Sequence, residues 1–319
     1  MSPPFRSVAV VGAGAVGGFF GALLARCGHP VTLIGRAAQV AAIERSGLRL
    51  DMAGRIQSIA VRASLDLAAV RGADLVLFSV KSTDTEAVAR EMAPHLHADT
   101  LVLSLQNGVE NAPTLARHVP GMVVPAVVYV ATAAPEPGLV KHHGRGDLVV
   151  GALGAIGAKA THDGAVARRL QDLVDFFASA GVPVRISRDV MAELWSKLMV
   201  NCAYNAISGV AQATYAELAA LPSVRDLQHA VVGEVVALAA AEGIDLRLGP
   251  SLESMQQIAA AMPGQRSSTA QDMARRKPSE IEHLNGFVVR RGRELGVATP
   301  ANQALYALVR LIEAGHGAA

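Results

Sequence analysis

The sequence predicts an α/β protein in which a doubly wound parallel sheet, over residues 1–187, precedes an all-helical domain, over residues 188–319. Three observations predict this class. Short, almost wholly apolar runs alternate with helical stretches in the first part, which is typical of buried parallel strands with crossover helices. After about Arg188 the strand-like runs give way to long helical patterns. A length of 319 residues also favours two domains over a single core.

The elements of the first part follow from where the apolar runs begin and end. Four runs are predicted strands of a parallel sheet: Ser7–Val11, Val31–Gly35, Asp74–Val80 and Leu101–Leu105. Helices are predicted between them over Ala15–Arg26 and Thr85–Ala93. Gly121–Gly151 contains several extended pieces, which we expect to continue or decorate the sheet. Helical spacing of apolar residues predicts a helix over Asp163–Ala180, and Val182–Ser187 is then a last strand.

The second part is predicted to be helical because glycine and proline divide it into long periodic segments. The predicted helices cover residues 189–208, 223–243, 249–262, 268–295 and 300–315. We place the domain boundary near residue 187, where the last predicted strand ends.

Composition excludes several classes of function. The net charge of +2 suits an anionic small molecule, and the sequence has no Lys/Arg cluster with interleaved aromatic residues that would predict nucleic-acid binding. Cys27 and Cys202 lie far apart and outside metal-ligand spacings, so we expect reduced thiols in the cytoplasm, with neither disulfide nor zinc. His142 and His143 fall on a predicted strand, where adjacent side chains point to opposite faces, so we expect no metal there.

One uncharged run, Ser7–Ala25, has 19 residues, the length of a membrane span or a signal-peptide core. Five glycines interrupt it, at positions that suit a turn and a tightly packed helix. We therefore expect no membrane segment here.

A glycine-rich segment follows the first predicted strand and opens the first predicted helix. Gly12-Ala13-Gly14-Ala15-Val16-Gly17 has the spacing GxGxxG. In such a turn the first glycine allows the tight bend, the second lets the main chain approach a diphosphate, and the third lets helix and strand pack closely. The helix N-terminus offers N–H groups to the phosphates. We predict that this segment binds a dinucleotide; the alternative is a packing turn without a ligand.

The end of the second predicted strand indicates which dinucleotide is bound. NAD-binding turns carry an Asp or Glu there for the ribose hydroxyls, whereas this strand ends in Arg36 and no acidic residue precedes Glu44. An arginine at this point can pair bidentately with a 2′-phosphate, and we expect no carboxylate nearby to repel that phosphate, which favours NADP. The alternative is a solvated arginine at a loop edge. Lys81 and Asn107, the latter in Gln106-Asn107-Gly108, also follow predicted strands at the ligand-binding edge, although each could be an ordinary surface or turn residue.

The segment from Glu193 to Asn205 carries three polar residues among apolar ones. Lys197, Asn201 and Asn205 are spaced i, i+4, i+8 and therefore share one helix face. Burying such groups costs free energy unless they are paired, and a polar substrate would pair with them. A carbonyl that accepts hydride needs a proton on its oxygen, which a partly desolvated lysine with a lowered pKa can donate. A solvated polar stripe is the alternative.

A second polar constellation lies further along the chain. Ser267 and Ser268 follow Pro263-Gly264 and suit a helix N-cap whose hydroxyls could bind a carboxylate, and Glu280 could hold the lysine ammonium in place. On the residues alone, a capped helix without a ligand is favoured.

Taken together, these motifs resemble those of the ketopantoate reductase family (2-dehydropantoate 2-reductases) over nearly the whole chain. The resemblance rests on four features in order: GAGAVG, QNG, W-S-K-L-x-x-N-x-x-x-N, and S-S-x-x-Q-D followed by S-E-I-E-x-x-N-G. It implies a Rossmann domain, an all-helical domain and an active site in the cleft between them. It also implies NADPH-dependent reduction of ketopantoate to pantoate, in pantothenate and coenzyme A biosynthesis.

The resemblance assigns roles to matching positions. Lys197 would be the general acid, and Glu280 the carboxylate that orients lysine and substrate. Lys197, Asn201, Asn205 and Ser268 would bind substrate. Asn107 would lie beside nicotinamide and substrate. Lys81 and Arg36 would contact the adenosine end of NADP, and Ala131, at a strand end, would line the cofactor cleft.

The chain also departs from the family. Ala206-Ile207-Ser208-Gly209 replaces a frequent Pro-Leu-Thr-Ala, and Gln212–Tyr215 has no further asparagine for substrate. Two alternatives therefore stay open: a reductase of another branched 2-keto acid, and a non-catalytic NADPH sensor. We expect a small 2-keto acid as the partner, with no nucleic acid and no membrane, and we leave a homodimer open.

Overall fold

The computed structural model describes residues 4–154 and 164–316. The chain divides into two compact units, Met1–Met191 and Ala192–Ala319. The predicted boundary at residue 187 falls in the short segment between the last strand, which ends at Ile186, and the helix that begins at Val190.

Within the described residues, the first unit contains one ten-stranded sheet. Its strands are β1 (Val8–Val11), β2 (Val31–Ile34), β3 (Leu48–Met52), β4 (Arg55–Ile59), β5 (Arg62–Ser64), β6 (Leu75–Phe78), β7 (Leu101–Ser104), β8 (Met122–Ala133), β9 (Leu139–Val150) and β10 (Val184–Ile186). The order is β4-β3-β9-β8-β7-β6-β1-β2-β5, with β10 paired to β9. In the part of the sheet ordered β8-β7-β6-β1-β2-β5, every pair of adjacent strands is parallel. The pairs β8–β9 and β3–β4 are antiparallel. The predicted fold class is confirmed.

The sheet is covered on both faces, which is why its central strands are apolar throughout. In β1, Val8 and Val10 belong to one core cluster, and Ala9 and Val11 belong to another. The first cluster includes residues of α1 (Ala15–Arg26) and α5 (Gly164–Ser179), and the second includes residues of α3 (Thr85–Met92) and α4 (Asn111–Ala116). Alternate side chains of one strand thus enter different cores, as a doubly wound sheet requires.

The predicted elements of this unit agree with the structure at most positions. The uncharged run at 7–25 forms β1, the glycine turn and most of α1, and Gly121–Gly151 forms the β8–β9 pair. Asp163, the predicted start of α5, lies outside the described residues. The prediction omitted α2 (Ala37–Ser46), α4 and strands β3 to β5. Strands β3 and β4 mix apolar residues with charged and polar ones, and β4 is exposed up to Ile59, so neither has the continuous apolar run that reveals the central strands.

The second unit is helical in its described residues. Its helices are α6 (Val190–Ala211), α7 (Tyr215–Ala220), α8 (Pro222–Ala241), α9 (Leu248–Ala261), α10 (Ser268–Ala274), α11 (Asn285–Leu295) and α12 (Pro300–His316), and α6 begins two residues before the unit does. Among the described helices, none combines the length and the apolar character needed to cross a bilayer.

The single helix predicted over 268–295 is wrong. The chain leaves the helix after Ala274, because Arg276 has a positive φ of 53° and Lys277 precedes a proline, which disfavours the helical conformation. A short 3-10 turn, Ile281–His283, and then α11 follow. Glu280 consequently lies at the start of this turn, outside the longer helices.

Candidate active site

The turn between β1 and α1 is shaped by two glycines that contact the neighbouring loop. Gly12 has a φ of +100°, and a Cβ there would lie 2.6 Å from the carbonyl carbon of Ser79. A Cβ on Gly17 would lie 2.2 Å from Ser79 Oγ and 2.4 Å from the carbonyl oxygen of Gly12. The Ser79 hydroxyl donates to that same carbonyl at 2.8 Å. These contacts explain why both positions need glycine, and they tie the turn to the end of β6.

Gly14 differs from its two neighbours in the motif. It is exposed, and a Cβ built on it would have no described atom within 4 Å. Gly14 is also the N-cap of α1, so it has no side chain to occupy the first-turn N–H groups of that helix. The protein itself does not require a glycine here, whereas a diphosphate approaching the main chain does. The segment Gly12–Gly17 therefore fits a dinucleotide.

The two predicted contacts for the adenosine end follow β2 and β6, which lie on either side of β1 in the sheet. Arg36 is the N-cap of α2, and its side chain is 90% exposed. Lys81 is exposed and precedes a 3-10 turn, Ser82–Asp84. The expectation that no carboxylate lies near Arg36 is wrong, because Asp84 Oδ2 lies 3.6 Å from Arg36 Nη2. The residues are remote in sequence but near in space, since the β6 and β2 loops reach the same sheet edge. An exposed pair of this kind contributes at most about 1 kcal/mol.

The remaining predicted cofactor contacts lie further along the sheet. Asn107 is half-buried in the loop after β7, and its carbonyl oxygen accepts a hydrogen bond from Asn111 Nδ2 at 2.6 Å. Ala131 lies two residues before the end of β8, where the pairing with β9 shifts register. His142 stacks on Phe19, with ring centroids 4.7 Å apart, while His143 is exposed.

In the second unit, α6 carries the predicted polar stripe from a half-exposed beginning to a buried end. Lys197 and Asn201 are half-buried, and Asn205 is 4% exposed. Burial raises the pKa of the Cys202 thiol well above its usual range, so this neighbour stays a neutral thiol. Lys197 is the only cationic side chain of α6.

The buried end of the stripe is joined to the start of α10. Asn205 Nδ2 donates to the hydroxyl of Ser268 at 3.3 Å, and Ser267 Oγ donates to the Asn205 carbonyl at 3.2 Å. Ser267 is the N-cap of α10 and accepts from the N–H of Ala270 at 3.0 Å. The structure thus brings Asn205 and Ser268 together, although 62 positions separate Ser267 from Asn205 in sequence.

Two residues that the sequence reasoning did not assign hold this junction. Ser208 is fully buried; its Oγ accepts from the N–H of Ser267 at 3.2 Å and donates to the Ala213 carbonyl at 2.7 Å. Gly209 packs directly on α10, because a Cβ there would lie 2.8 Å from Met273 Sδ. Both belong to Ala206–Gly209, the segment that departs from the family pattern. A small polar residue beside a glycine on an apolar helix was the signal available to find them.

Glu280, the second predicted catalytic residue, is half-buried at the N-cap of the 3-10 turn. Of the residues that follow, Asn285 is fully buried and its Nδ2 donates to the Cys202 carbonyl on α6 at 3.2 Å. The motif that contains Glu280 is thereby bonded to the helix that contains Lys197. Among the described residues, no three His, Cys, Asp or Glu side chains form a group that could hold a metal ion.

A parallel sheet with a glycine turn fitted to a diphosphate, joined to a helical unit with a lysine–asparagine stripe, defines the class of Rossmann-type pyridine-nucleotide oxidoreductases. Comparison with known proteins gives the family. The family described as "Ketopantoate reductase PanE/ApbA" matches residues 8–155, and its C-terminal domain matches residues 189–313. The chain belongs to the ketopantoate reductase family, as the resemblance predicted.

Individual relatives cover almost the full chain. The 2-dehydropantoate 2-reductase of Vibrio cholerae is 32% identical, over 96% of this chain and 98% of its own length. Among solved structures, a ketopantoate reductase from Ralstonia eutropha JMP134 is 49% identical, with a TM-score of 0.88 over 98% of this chain and 99% of its own. D-Mandelate dehydrogenase, solved with NADH and anilino(oxo)acetate, is 26% identical with a TM-score of 0.89 over the same shares.

Proposed function

We propose that this protein reduces 2-dehydropantoate to pantoate with NADPH. The observation that carries the proposal is the stripe on α6, where a half-buried lysine precedes two asparagines, the second of which is bonded to Ser268. Such a group of donors suits a small substrate with a carboxylate and a carbonyl oxygen. Family membership supports the same substrate class.

We further propose a division of labour along the chain. Residues 1–187 bind NADP, with Gly12, Ala13, Gly14, Ala15, Val16 and Gly17 on the diphosphate. Arg36 and Lys81 bind the adenosine end, while Asn107 and Ala131 lie toward the nicotinamide. Residues 188–319 bind the keto acid and supply the proton. Arg36 favours NADPH because a guanidinium pairs bidentately with a 2′-phosphate, and the neighbouring Asp84 opposes this preference.

The proposed reaction needs one hydride and one proton. NADPH held at Gly12–Gly17 would supply the hydride that the keto carbon accepts, with NADP⁺ as the second product. Lys197 donates its ammonium proton to the keto oxygen, so that a 2-hydroxy acid forms. Glu280 orients the ammonium and the substrate, and Asn201, Asn205 and Ser268 hold the substrate.

The test is a panel of 2-keto acids assayed by NADPH oxidation, with NADH in parallel. We expect the highest kcat/KM with 2-dehydropantoate and NADPH. Preference for an aromatic 2-keto acid would instead support a mandelate-type dehydrogenase, which the similarity to D-mandelate dehydrogenase and the altered segment Ala206–Gly209 favour as the second candidate. Tight NADPH binding without turnover of any 2-keto acid would support the sensor.

Two alanine substitutions in the glycine turn should affect different properties, one the stability of the fold and the other the affinity for NADPH. Gly17→Ala is expected to cost about 1–3 kcal/mol of stability, because its methyl group meets Ser79 Oγ and the Gly12 carbonyl. Gly14→Ala is expected to leave the urea midpoint near that of the wild type, since no described atom lies within 4 Å. It should nevertheless weaken NADPH binding by about 10-fold, the scale of one charge-assisted hydrogen bond. Unchanged NADPH affinity in Gly14→Ala would contradict the assigned diphosphate site.

A further inference from the structure

A set of five buried polar side chains lies behind the two loops that follow β6 and β7. We call it the loop-pinning network, and its members are 3–6% exposed: Ser82, Thr85, Ser104, Gln106 and Asn111. Buried polar groups cost stability unless each donor and acceptor is paired. Such a cluster at the ligand-binding edge of a parallel sheet therefore calls for a physical account.

Gln106 uses all of its side-chain hydrogen-bonding groups. Its Nε2 donates to the Val80 carbonyl at 3.1 Å and to Thr85 Oγ1 at 2.7 Å, and its Oε1 accepts from Ser104 Oγ at 3.3 Å. Val80 directly precedes Lys81 in the loop after β6. Gln106 thus joins the start of the β7 loop to the main chain beside Lys81.

Asn111 completes the connection from the opposite side. Its Oδ1 accepts from Thr85 Oγ1 at 2.8 Å, while its Nδ2 donates to Ser82 Oγ at 3.0 Å and to the Asn107 carbonyl at 2.6 Å. Thr85 stands between Gln106 and Asn111, since its hydroxyl accepts from one and donates to the other. The bonds therefore form a continuous chain from Val80 to Asn107.

These bonds lie next to the residues assigned to NADP, which indicates a role in nucleotide binding beyond stabilising the fold. The bonded chain ends on two main-chain carbonyls. That of Val80 directly precedes Lys81, and the other belongs to Asn107; we assign both Lys81 and Asn107 to NADP binding. Thr100 supplies a contrast at the other end of β7, where its buried hydroxyl donates to the Ala73 carbonyl at 3.1 Å. That single hydrogen bond links the residues that precede β7 and β6, at the sheet edge away from the glycine turn.

We propose that Thr85, Gln106 and Asn111 are positioning residues that hold the Lys81 loop and the Asn107 loop in one arrangement for the nucleotide. The inference rests on the proposed NADP site, because it assigns no contact of its own with the cofactor. A single fixed arrangement lowers the ordering cost of binding, so that loss of the network weakens nucleotide affinity. The keto-acid site in the second unit receives none of these bonds.

The test compares two buried threonines in the full-length protein. Thr85→Val removes the central hydroxyl of the network, and Thr100→Val removes a hydroxyl equally buried at the far end of β7. We expect Thr85→Val to raise the Kd for NADPH about 3–10-fold, the scale of one hydrogen bond, with the KM for the keto acid unchanged. Thr85→Ser keeps the hydroxyl and should restore affinity. Thr100→Val should lower the urea midpoint with the Kd within about twofold of the wild type.

Wild-type affinity in Thr85→Val, or an equal loss in Thr100→Val, would overturn the positioning role while leaving the proposed function intact. Should Thr85→Val fail to fold, Thr85→Ser is compared with Asn111→Ser. Asn111→Ser shortens the donor that reaches the Asn107 carbonyl and should weaken NADPH binding, whereas Thr85→Ser keeps the network hydroxyl and should not. Wild-type protein that does not bind NADPH in calorimetry would remove the proposed function and this inference together.

Discussion

Replacing Lys197 by alanine is expected to lower kcat for 2-keto acid reduction by about 10²–10⁴-fold, the range that one general acid contributes. The physical reason is that the developing alkoxide then takes its proton from water, without a positioned donor. NADPH binding should change little, because none of the residues assigned to the nucleotide is altered. The measurement is single-turnover NADPH oxidation at saturating substrate.

The pH profile separates loss of the acid from loss of the fold. A general acid must be protonated, so wild-type kcat should fall as pH rises through its pKa, and Lys197→Ala should lose that dependence. The control is Lys277→Ala, an exposed lysine of the same unit, which should retain wild-type kcat. Near-wild-type turnover in Lys197→Ala would refute the assigned role.

Replacing Arg36 by alanine should lower the NADPH-over-NADH ratio of kcat/KM by about 10–100-fold, because hydrogen bonds between charged groups contribute about 1.5–3 kcal/mol. NADH kinetics should hardly change, since NADH has no 2′-phosphate. The assay is the same reduction measured with both nucleotides over a range of concentrations.

Asp84→Asn is the matched variant, because it removes the carboxylate 3.6 Å from Arg36 while keeping its shape. It should strengthen NADPH binding modestly, by less than about tenfold, because exposed pairs are weak. An unchanged nucleotide ratio in Arg36→Ala would assign the 2′-phosphate to other residues and would leave Arg36 as a solvated loop arginine.

Much of the fold could be predicted because the central strands are apolar on both faces and the breaks between helices carry glycine or proline. The helix start at Ala15 follows directly from the glycine turn. The break after Ala274 was missed, since the helical spacing of apolar residues continues past Lys277 and conceals the effect of the following proline. The hairpin of β3 and β4 was missed because Arg49, Asp51 and Gln57 interrupt its apolar residues, so it contains no continuous apolar run.

Only those features of the candidate site that depend on local spacing could be predicted. Spacing alone places Lys197, Asn201 and Asn205 on one helix face, and GxGxxG alone places a turn before a helix. Spacing could not show that Asn205 is bonded to Ser268 or that Asp84 lies beside Arg36. Those pairs depend on how distant segments return to one edge or one junction.

The sequence by itself determined the type of each unit, the glycine turn and the lysine stripe, because periodicity and local turn chemistry are properties of neighbouring residues. Only the tertiary structure decided which polar groups are satisfied. It joined Gln106 and Asn111 through Thr85, and it buried Ser208 against the N–H of Ser267. The physical reason is that a buried donor must find an acceptor in space, and the chain supplies that acceptor from residues far away in sequence.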